Sequence, residues 1–567
     1  MPFRAPTADL RFVLDHVVDF AAVATTGRFA EATPETVDAI LTEAGRLCET
    51  VLAPVNRAGD RHPARLENGV VRTSPGFAQA YRALAEGGWV AVAASPDHGG
   101  MGLPQTLATA VNEMMSGANL ALQLNPLLTQ GQIEALEHHA SDAIKAMVLP
   151  HLISGRWTGT MNLTEPQAGS DVGALQTRAE PRGDGIYAVT GQKIFITWGD
   201  HDLAENVCHL VLARLPDAAP GTRGISLFLV PKFLPDAAGN PGMRNSLSVV
   251  SLEHKLGLHA SPTCVMQYDG ATGWLVGAPH RGMAAMFTMM NNARLGVGVQ
   301  GVGVAEAAFQ QALAHATDRR QGATPEPGQP AILGHADVRR MLACMKADVF
   351  SARAIALACA VAIDLARATG RPDHAARAAL LTPIAKAFGT DTGIAVADMG
   401  LQVHGGMGYV EETGAAQFLR DVRVTAIYEG TNGIQAMDLV GRKLADGGEA
   451  ARDLIDEIQQ GAEAARPALP DLAGEVWAAA ESLREATDWL LTQDMTDRGA
   501  GAVPYLRAFA RVLGGHFHLR AALADPARTA LAAVAIHRLM PEHAACLAQV
   551  RQGAAGLYAL SAADLSA

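Results

Sequence analysis

The stretch from Ala426 to Gln435, AIYEGTNGIQ, places a single acid, Glu429, between apolar or aromatic residues and a glycine. A glutamate that serves only solubility more often has polar neighbours. The stretch therefore leaves two interpretations open. Glu429 is either a structural acid whose charge is satisfied by partners, or a base held in a dry site.

The composition sets broad limits on what surrounds this stretch. The chain has 567 residues, of which 49% are hydrophobic and 18% charged. This length predicts several domains of ~100–150 residues, each able to bury a core. The net charge of −12 argues against broad binding to nucleic acids or anionic membranes, so we expect neither as a partner. An anionic ligand needs only a local basic pocket and stays possible.

Cysteine usage and the N-terminus indicate the compartment. The six cysteines lie far apart without a CxxC spacing, which is typical of reduced thiols in a cytoplasmic enzyme. The N-terminal segment reads as an amphipathic helix rather than a signal peptide, with Leu10, Val13, Leu14, Val17 and Val18 on one face. The apolar run 354–363 is shorter than the ~20 residues that cross a bilayer. We therefore expect a soluble cytoplasmic protein.

The pattern of residues along the chain predicts an α+β fold with four parts. Helical spacing dominates an N-terminal helical domain (1–155). Short runs rich in β-branched and aromatic residues, separated by Gly, Pro and Asp, predict a middle β domain (156–275). Long helical segments then predict an antiparallel helical bundle (276–445), followed by an appended helical domain (446–567). The Pro/Gly-rich stretches 215–224 and 234–245 are predicted to be surface loops of the β domain.

Two motifs in the β domain carry ligand-binding chemistry. The segment LTEPQAGSD leaves a strand through small polar residues, and Thr164 and Ser170 offer hydroxyl donors there. An ordinary strand-ending loop is an equally good interpretation of that segment alone. In GQKIFIT, Phe195 and Thr197 are two residues apart and share a strand face that could cover a flat ring and bond its edge. A half-buried core strand explains the aromatic equally well.

Two glycine motifs lie in the bundle. In LQVHGGMGYV, Gln402, Gly405 and Gly406 could meet a phosphate or sugar, although a helix C-cap with a turn is the simpler interpretation. The segment GVGVQG (296–301) matches GxGxxG but sits inside a helical run with no preceding strand. Close helix packing explains it better than a dinucleotide fold.

Several other chemistries lack support in the sequence. The histidine pairs at 138–139 and at 516 and 518 belong to no HExxH motif and have no identifiable third ligand, so we expect no metal site. No GxSxG elbow, SxxK or GxxxxGK[ST] motif occurs. Nucleophilic hydrolysis and a P-loop are therefore not indicated.

The order of the motifs is more specific than any one of them. LTEPQAGSD, GQKIFIT, a helix ending DRRQG, QVHGGMGY and IYEGTNGIQ follow one another over roughly residues 80–445, and in this order they resemble the acyl-CoA dehydrogenase family. The resemblance implies an N-terminal helical domain, a middle β domain and a helical bundle, with FAD between the last two and completed by a neighbouring subunit. It also implies an acyl-CoA substrate, an electron-transfer flavoprotein as acceptor, and a homo-oligomer, either dimer or tetramer.

The resemblance also implies roles for individual residues. FAD contacts are implied for Leu163, Thr164, Ser170, Phe195, Thr197, Arg319, Gln402, Gly405, Gly406 and Thr431. Substrate contacts are implied for Ser170, Asn291, Arg294 and Gly430. Phe195 stands where the family commonly has Trp, and Asn291 where it often has Asp. Arg319 would meet the FAD pyrophosphate, because a guanidinium suits bidentate phosphate contact.

The same resemblance makes Glu429 the base that removes the α-proton of an acyl thioester. Burial beside Ile427 and Tyr428 raises the pKa of such a carboxylate, and polarising the thioester carbonyl lowers that of the carbon acid. By resemblance, a backbone N–H near Glu429 and a flavin ribityl hydroxyl supply that polarisation. In some subfamilies the base lies on the preceding helix instead, but the matching residue here is Ala293.

The extra C-terminal residues and the phrases KLGLHASPTCVMQYDG, MMNNARLGVGVQG and IYEGTNGIQAMDLVGRKL resemble most the 3-methylmercaptopropionyl-CoA dehydrogenase subgroup. This implies conversion of the substrate to methylthioacryloyl-CoA, within the demethylation of dimethylsulfoniopropionate. Ordinary short or medium acyl-CoAs remain an alternative, since one methylene changes affinity by only ~1–3 kcal/mol.

Two rivals of other classes stay open. Some long relatives are damage-response flavoproteins that bind DNA through a basic C-terminal domain. Here residues 446–567 hold sixteen Asp/Glu against ten Arg and no Lys. The spacing of Arg507 and Arg511 is more typical of a solvated helix face or a subunit contact. An acyl-CoA oxidase that passes electrons to oxygen is the second rival.

Overall fold

The computed structural model describes residues 3–236 and 238–567. The first part of the chain is helical, with one short hairpin that the sequence did not predict. Leu10, Val13 and Leu14 form the buried face of the first helix, as predicted, whereas Val17 and Val18 are buried just beyond its end at His16. The elements are α1 (Thr7–His16), α2 (Phe20–Ala24), α3 (Pro34–Leu47), α4 (Ala53–Arg61), β1 (Arg65–Glu67), β2 (Val70–Arg72), α5 (Phe77–Glu86), α6 (Gln105–His139) and α7 (Asp142–Ile153).

Helix α6 consists of two arms joined by a kink. Asn119 has a non-helical backbone (φ −161°, ψ 88°). The chain folds back at this point, so that Asn112 of the first arm contacts Gln130 of the second through a 2.9 Å hydrogen bond. The indole N–H of Trp198, from the β domain, donates to the carbonyl of Ala121 just beyond the kink. The kink therefore fixes α6 against the sheet.

The β domain is a seven-stranded sheet with a separate hairpin. The main sheet runs β10–β11–β5–β4–β6–β3, and β7 pairs with both β11 and β6, so the path closes on itself. The closed part comprises β11, β5, β4, β6 and β7, while β10 and β3 remain as edge strands attached to β11 and β6. The hairpin β8–β9 lies in the stretch predicted as a loop at 234–245, because the chain there reverses tightly enough to pair; residue 237 of that stretch lies outside the described residues. The strands are β3 (Trp157–Asn162), β4 (Arg178–Gly183), β5 (Ile186–Thr197), β6 (Asn206–Arg214), β7 (Ile225–Pro231), β8 (Phe233–Pro235), β9 (Pro241–Arg244), β10 (Leu247–Leu252) and β11 (Thr263–Val276).

Three long helices and two short ones form the bundle. Glycines bring α8 and α10 unusually close: a Cβ on Gly301 would lie 2.1 Å from the carbonyl oxygen of Gly389. The interpretation of GVGVQG as helix packing is thus confirmed. One helix, α9, is apolar and long enough to span a bilayer, but 83% of its most apolar window is buried inside the protein. The helices are α8 (Gly282–Asp318), α9 (Ala336–Thr369), α10 (Pro372–His404), α11 (Ala415–Val422) and α12 (Asn432–Asp438).

The appended domain packs against the bundle through α15. Arg511 of α15 forms ion pairs with Asp348 on α9 and with Glu542. Arg528 lies 3.0 Å from Asp9 and above the ring of Phe12 in the first helix of the chain. The last domain is therefore tied to the first. Its helices are α13 (Glu449–Ala465), α14 (Pro470–Thr492), α15 (Met495–Ala524), α16 (Thr529–Val534), α17 (Glu542–Val550), α18 (Ala555–Tyr558) and α19 (Ala562–Ser566).

Candidate active site

The segment between α11 and α12 holds Glu429 in an unusual backbone conformation. Glu429 has φ 55° and Gly430 has φ 82°. A left-handed φ is uncommon for a residue with a side chain and is often found where a site requires it. The Gln435 amide donates to the carbonyls of Glu429 (3.2 Å) and Gly430 (3.3 Å), and the Thr431 hydroxyl caps α12. These bonds keep the segment in place.

The Glu429 carboxylate is half-buried. Within 3–236 and 238–567, no donor bonds to it and no cation forms an ion pair with it. Burial raises the pKa of Glu429 to about 7, against the opposing effects of Arg294 and Lys386. A carboxylate in this state can accept a proton near neutral pH.

Two buried cations lie near Glu429, and α12 binds both. Arg294, on α8, is 3.3 Å from Asp438 Oδ2. Lys386, on α10, is fully buried, and its Nζ donates to Asn432 Oδ1 at 2.8 Å. Burial lowers the pKa of Lys386 to about 8, opposed by Glu429 and Asp391. Both cations are thus fixed relative to the segment that carries Glu429.

A cavity of about 330 Å³ opens beside Arg294. Asn291 and Arg294 both line it, so the structure brings two of the predicted substrate contacts together. Arg367 and Lys443 also line it, together with Glu134 and Asp438, which pair with Arg367 and Arg294. Three cations against two carboxylates leave a small excess of positive charge for an anionic ligand.

Four of the five predicted ligand residues of the β domain meet at one end of the sheet: Leu163, Thr164, Phe195 and Thr197. Leu163 and Thr164 follow β3, and the Thr164 carbonyl accepts from the Ile194 amide at 2.9 Å. Phe195 lies at a β-bulge of β5 with φ 60°, and 59% of its surface is exposed. The bulge turns the ring outward, while Thr197 ends the same strand. Ser170 is exposed in the loop after β3.

Four other predicted ligand residues lie at the far end of the bundle. Arg319 follows α8, and Gln402 with Gly405 and Gly406 lies at the end of α10. Arg319 is about 37 Å along α8 from Arg294, given a rise of about 1.5 Å per residue. The two helix ends are joined by stacking of His315 on His404 at 4.5 Å. The structure therefore groups these four residues away from Glu429.

Sequence reasoning missed the residues that support Glu429. Lys386, Asn432 and Asp438 received no role, yet they link both cations to α12. A signal for Lys386 was present, since it is the only charged residue in the otherwise apolar run LLTPIAKAFG. A lysine in such a run must be buried or snorkel to the surface.

Comparisons with known proteins agree with this organisation. Four family profiles match in order: acyl-CoA dehydrogenase, N-terminal domain (34–156), acyl-CoA dehydrogenase, middle domain (160–271), acyl-CoA dehydrogenase, C-terminal domain (280–444), and acetyl-CoA dehydrogenase C-terminal like (454–561).

Individual relatives cover nearly the whole chain. The chain is 46% identical to a 3-methylmercaptopropionyl-CoA dehydrogenase of Ruegeria pomeroyi, over 89% of this chain and 88% of that protein. It is 36% identical to a broad-specificity linear acyl-CoA dehydrogenase of Mycobacterium tuberculosis, over 81% and 78%. Among solved structures, Caenorhabditis elegans ACDH-11 in complex with C11-CoA superposes with a TM-score of 0.79 at 22% identity, over 94% of this chain and 91% of that one. The last similarity concerns the fold alone.

Proposed function

Since the chain belongs to the acyl-CoA dehydrogenase family, we propose that this acyl-CoA dehydrogenase desaturates 3-methylmercaptopropionyl-CoA to methylthioacryloyl-CoA, with Glu429 as the base. The substrate is supported by the relative of that name at 46% identity, whose match covers 89% of this chain and so reaches into the appended domain. The broad-specificity relative supports the alternative, a general short- or medium-chain enzyme.

The family depends on FAD, and the residues at the sheet end fit a flavin. The outward ring of Phe195 can lie on a flat aromatic system, and Thr197 can bond its edge. Leu163 and Thr164 lie beside them, Ser170 is exposed in the loop that follows, and Thr431 is two residues from Glu429. When bound, FAD supplies the acceptor for the hydride that leaves the β-carbon.

The far group fits the adenosine pyrophosphate of a flavin bound to a neighbouring subunit. A Cβ on Gly405 or Gly406 would meet nothing within 4 Å, so the backbone there is open to approach. Arg319 adds a guanidinium that suits phosphate. Its distance from Arg294 along α8 is why one subunit does not complete the site. A homo-oligomer, dimer or tetramer, therefore follows from this proposal.

Glu429 removes the α-proton of the thioester. The carboxylate accepts that proton, and a pKa of about 7 places it close to the range where general bases work best. Asn291 and Arg294 hold the CoA arm in the cavity that they line. The amide of Gly430, which follows Glu429 in the chain, bonds the thioester oxygen. Arg294 and Lys386 keep Glu429 ionised before the proton arrives.

The observation that carries the proposal is the carboxylate of Glu429, held on a left-handed backbone with no hydrogen-bond partner in the described part of the chain (3–236 and 238–567). The test is anaerobic bleaching of the bound flavin by a panel of acyl-CoAs that includes 3-methylmercaptopropionyl-CoA. We expect the thioether substrate to bleach fastest, and Glu429→Gln to bind FAD and acyl-CoA without bleaching. Full bleaching by that variant would show that another group is the base.

The electron acceptor and the location follow from the same proposal. We propose an electron-transfer flavoprotein as acceptor, in the cytoplasm. An oxidase would instead release peroxide in air without an added acceptor. The structure does not support the DNA-binding alternative. Arg507 and Arg511 are both paired with Glu542, and Arg511 also with Asp348, so their charges are already balanced within the protein. A salt-dependent gel shift with duplex DNA tests it directly.

A further inference from the structure

A chain of hydrogen-bonded side chains runs from the catalytic segment into the helices. The Tyr428 hydroxyl donates to Gln300 Oε1. Gln300 Nε2 donates to Gln123 Oε1 at 2.9 Å, and Gln123 Nε2 donates to Asn112 Oδ1 at 3.4 Å. Asn112 Nδ2 donates in turn to Gln130 Oε1. We term these five side chains the amide relay.

The amide relay lies in an apolar interior. Gln300 is 0% exposed and Gln123 is 1% exposed. Valines at 297, 299 and 302 surround Gln300 along α8, and all are buried. A buried amide costs free energy unless its hydrogen bonds are complete, so a leucine pair would pack here at lower cost. Packing alone therefore does not explain why these buried positions carry amides.

The relay has hydrogen-bonding capacity left over. A primary amide nitrogen carries two hydrogens. Gln300 Nε2 and Gln123 Nε2 each donate only once to acceptors within the described ranges 3–236 and 238–567. The Tyr428 oxygen donates but accepts nothing from those residues. The relay thus presents a free N–H donor to whatever lies beside it.

The Tyr428 end of the relay adjoins the catalytic segment. Tyr428 immediately precedes Glu429 in the chain, and its hydroxyl bonds the Gln300 amide. Gln300 lies about 9 Å beyond Arg294 along α8 and projects from a different face of that helix. The bond to Tyr428 is therefore what links the Gln300 amide to the segment that carries the base.

We propose that Gln300, fixed by Tyr428 and Gln123, selects acyl chains with a hydrogen-bond-accepting heteroatom just beyond the β-carbon. The proposal rests on the proposed function, in which that atom is the sulfur of a methylthio group. A thioether sulfur is a weak acceptor for the free N–H. A methylene in its place leaves the buried N–H without a partner, which penalises binding.

The other end of the relay is Gln130. It lines a cavity of about 460 Å³ that shares Gln105, Glu134, Asn292 and Arg367 with the cavity beside Arg294. Gln130 bonds Asn112 and not Gln300, so a substitution there leaves the bond between Tyr428 and Gln300 in place.

The test uses two substrates of equal length, 3-methylmercaptopropionyl-CoA and pentanoyl-CoA, which differ only by sulfur against methylene. We expect the wild type to favour the thioether about 3- to 10-fold in kcat/KM, the range of one net hydrogen bond. Gln300→Leu removes the donor at similar volume and brings the ratio close to one, with pentanoyl-CoA still oxidised. Gln130→Leu, at the far end, keeps the wild-type ratio.

Two further measurements guard against a folding artefact. Tyr428→Phe deletes one oxygen and frees Gln300 to turn, so it lowers the same ratio. The Glu429→Gln variant binds both substrates without turnover, so calorimetry on it gives a Kd for the thioether and a Kd for pentanoyl-CoA. We expect the thioether to bind more tightly, and we expect the added substitution Gln300→Leu to make the two Kd values equal.

A Gln300→Leu protein that has wild-type flavin content and keeps the preference would overturn the inference. A wild type that oxidises both substrates equally would overturn it too and leave acyl-CoA oxidation standing. If the wild type is bleached by neither short substrate, the proposed function fails instead.

Discussion

Two glutamates from two motifs of this chain are buried in opposite ways. Glu165, in LTEPQAGSD, lies 2.8 Å from the Nζ of Lys193 and accepts from Gln176 and Thr177. Burial favours a higher pKa for Glu165, but Lys193 and these hydrogen bonds outweigh it and lower the pKa to about 2. Glu429 has cations nearby but none in contact, and its pKa is raised to about 7.

The difference teaches how a protein separates a structural acid from a base. Close donors stabilise the charge of Glu165 so strongly that it cannot take a proton near neutral pH. Glu429 has only distant charges, which keep it ionised while leaving it basic. A base needs partners that are near but not bonded. The following predictions test this contrast, beginning with the largest expected effect.

Glu429→Gln should slow anaerobic flavin reduction by about 10²- to 10⁴-fold, the usual contribution of a general base. Stopped-flow absorbance of the bound flavin measures it. Binding of acyl-CoA should persist, since the amide keeps the shape of the side chain. A loss of less than tenfold would make Glu429 a structural acid like Glu165.

Glu165→Gln should lower the free energy of unfolding by about 3–5 kcal/mol, because it leaves the fully buried Lys193 without its counter-charge. Urea denaturation measures this effect. The double variant Glu165→Leu with Lys193→Met is the matched control and should recover much of the loss. If the single variant is as stable as the wild type, the pair does not stabilise the domain.

In a plot of flavin-reduction rate against pH, Lys386→Met should shift the acid limb, the fall in rate on the acid side, to a pH about one unit higher. The reason is that removing a cation raises the pKa of a nearby carboxyl. The wild-type limb is expected near pH 7. The variant should therefore lose rate mainly below pH 8, and Lys386→Arg should restore the limb. A uniform loss at every pH would mean that Lys386 only holds Asn432.

Stability against pH should show the smallest effect, with opposite signs for the two acids. The lowered pKa of Glu165 contributes stability that is present above about pH 4.5 and is lost as pH falls toward 2. The raised pKa of Glu429 contributes stability at acid pH that is lost as pH rises from about 4.5 through 7.

Glu429→Gln should therefore gain about 1 kcal/mol relative to wild type between pH 5 and pH 8, allowing for solvent near a half-buried group. Urea midpoints at the two pH values measure this difference. An unchanged difference would contradict the raised pKa.

The sequence predicted the order of domains and the runs that form β3, β5, β6, β7 and β11, five of the eleven strands described, because alternating and helical patterns persist over long segments. It did not single out β4 or β10. It missed the hairpins β1–β2 and β8–β9, whose strands have only three or four residues and no clear alternation. It also treated 234–245 as a loop, since proline and glycine dominate there. Short elements are determined by their contacts more than by their composition.

For the site, motif order identified Glu429, Asn291 and Arg294, and the structure brings the last two into one cavity. Their roles remain predictions. The surroundings of Glu429 could not be read from the sequence, because Lys386 comes from a helix about forty residues earlier. Gln300 was hidden inside GVGVQG, where the glycines explained the motif and the amide between them went unnoticed.

The contact of Arg528 with Asp9 and Phe12 spans 519 residues of sequence. During translation the first helix leaves the ribosome long before its partner in the appended domain is made. Part of the surface of α1 therefore stays exposed to solvent until the helices of the appended domain have been synthesised. Because of this order of synthesis, the contacts of α1 are completed only when the C-terminal domain has folded.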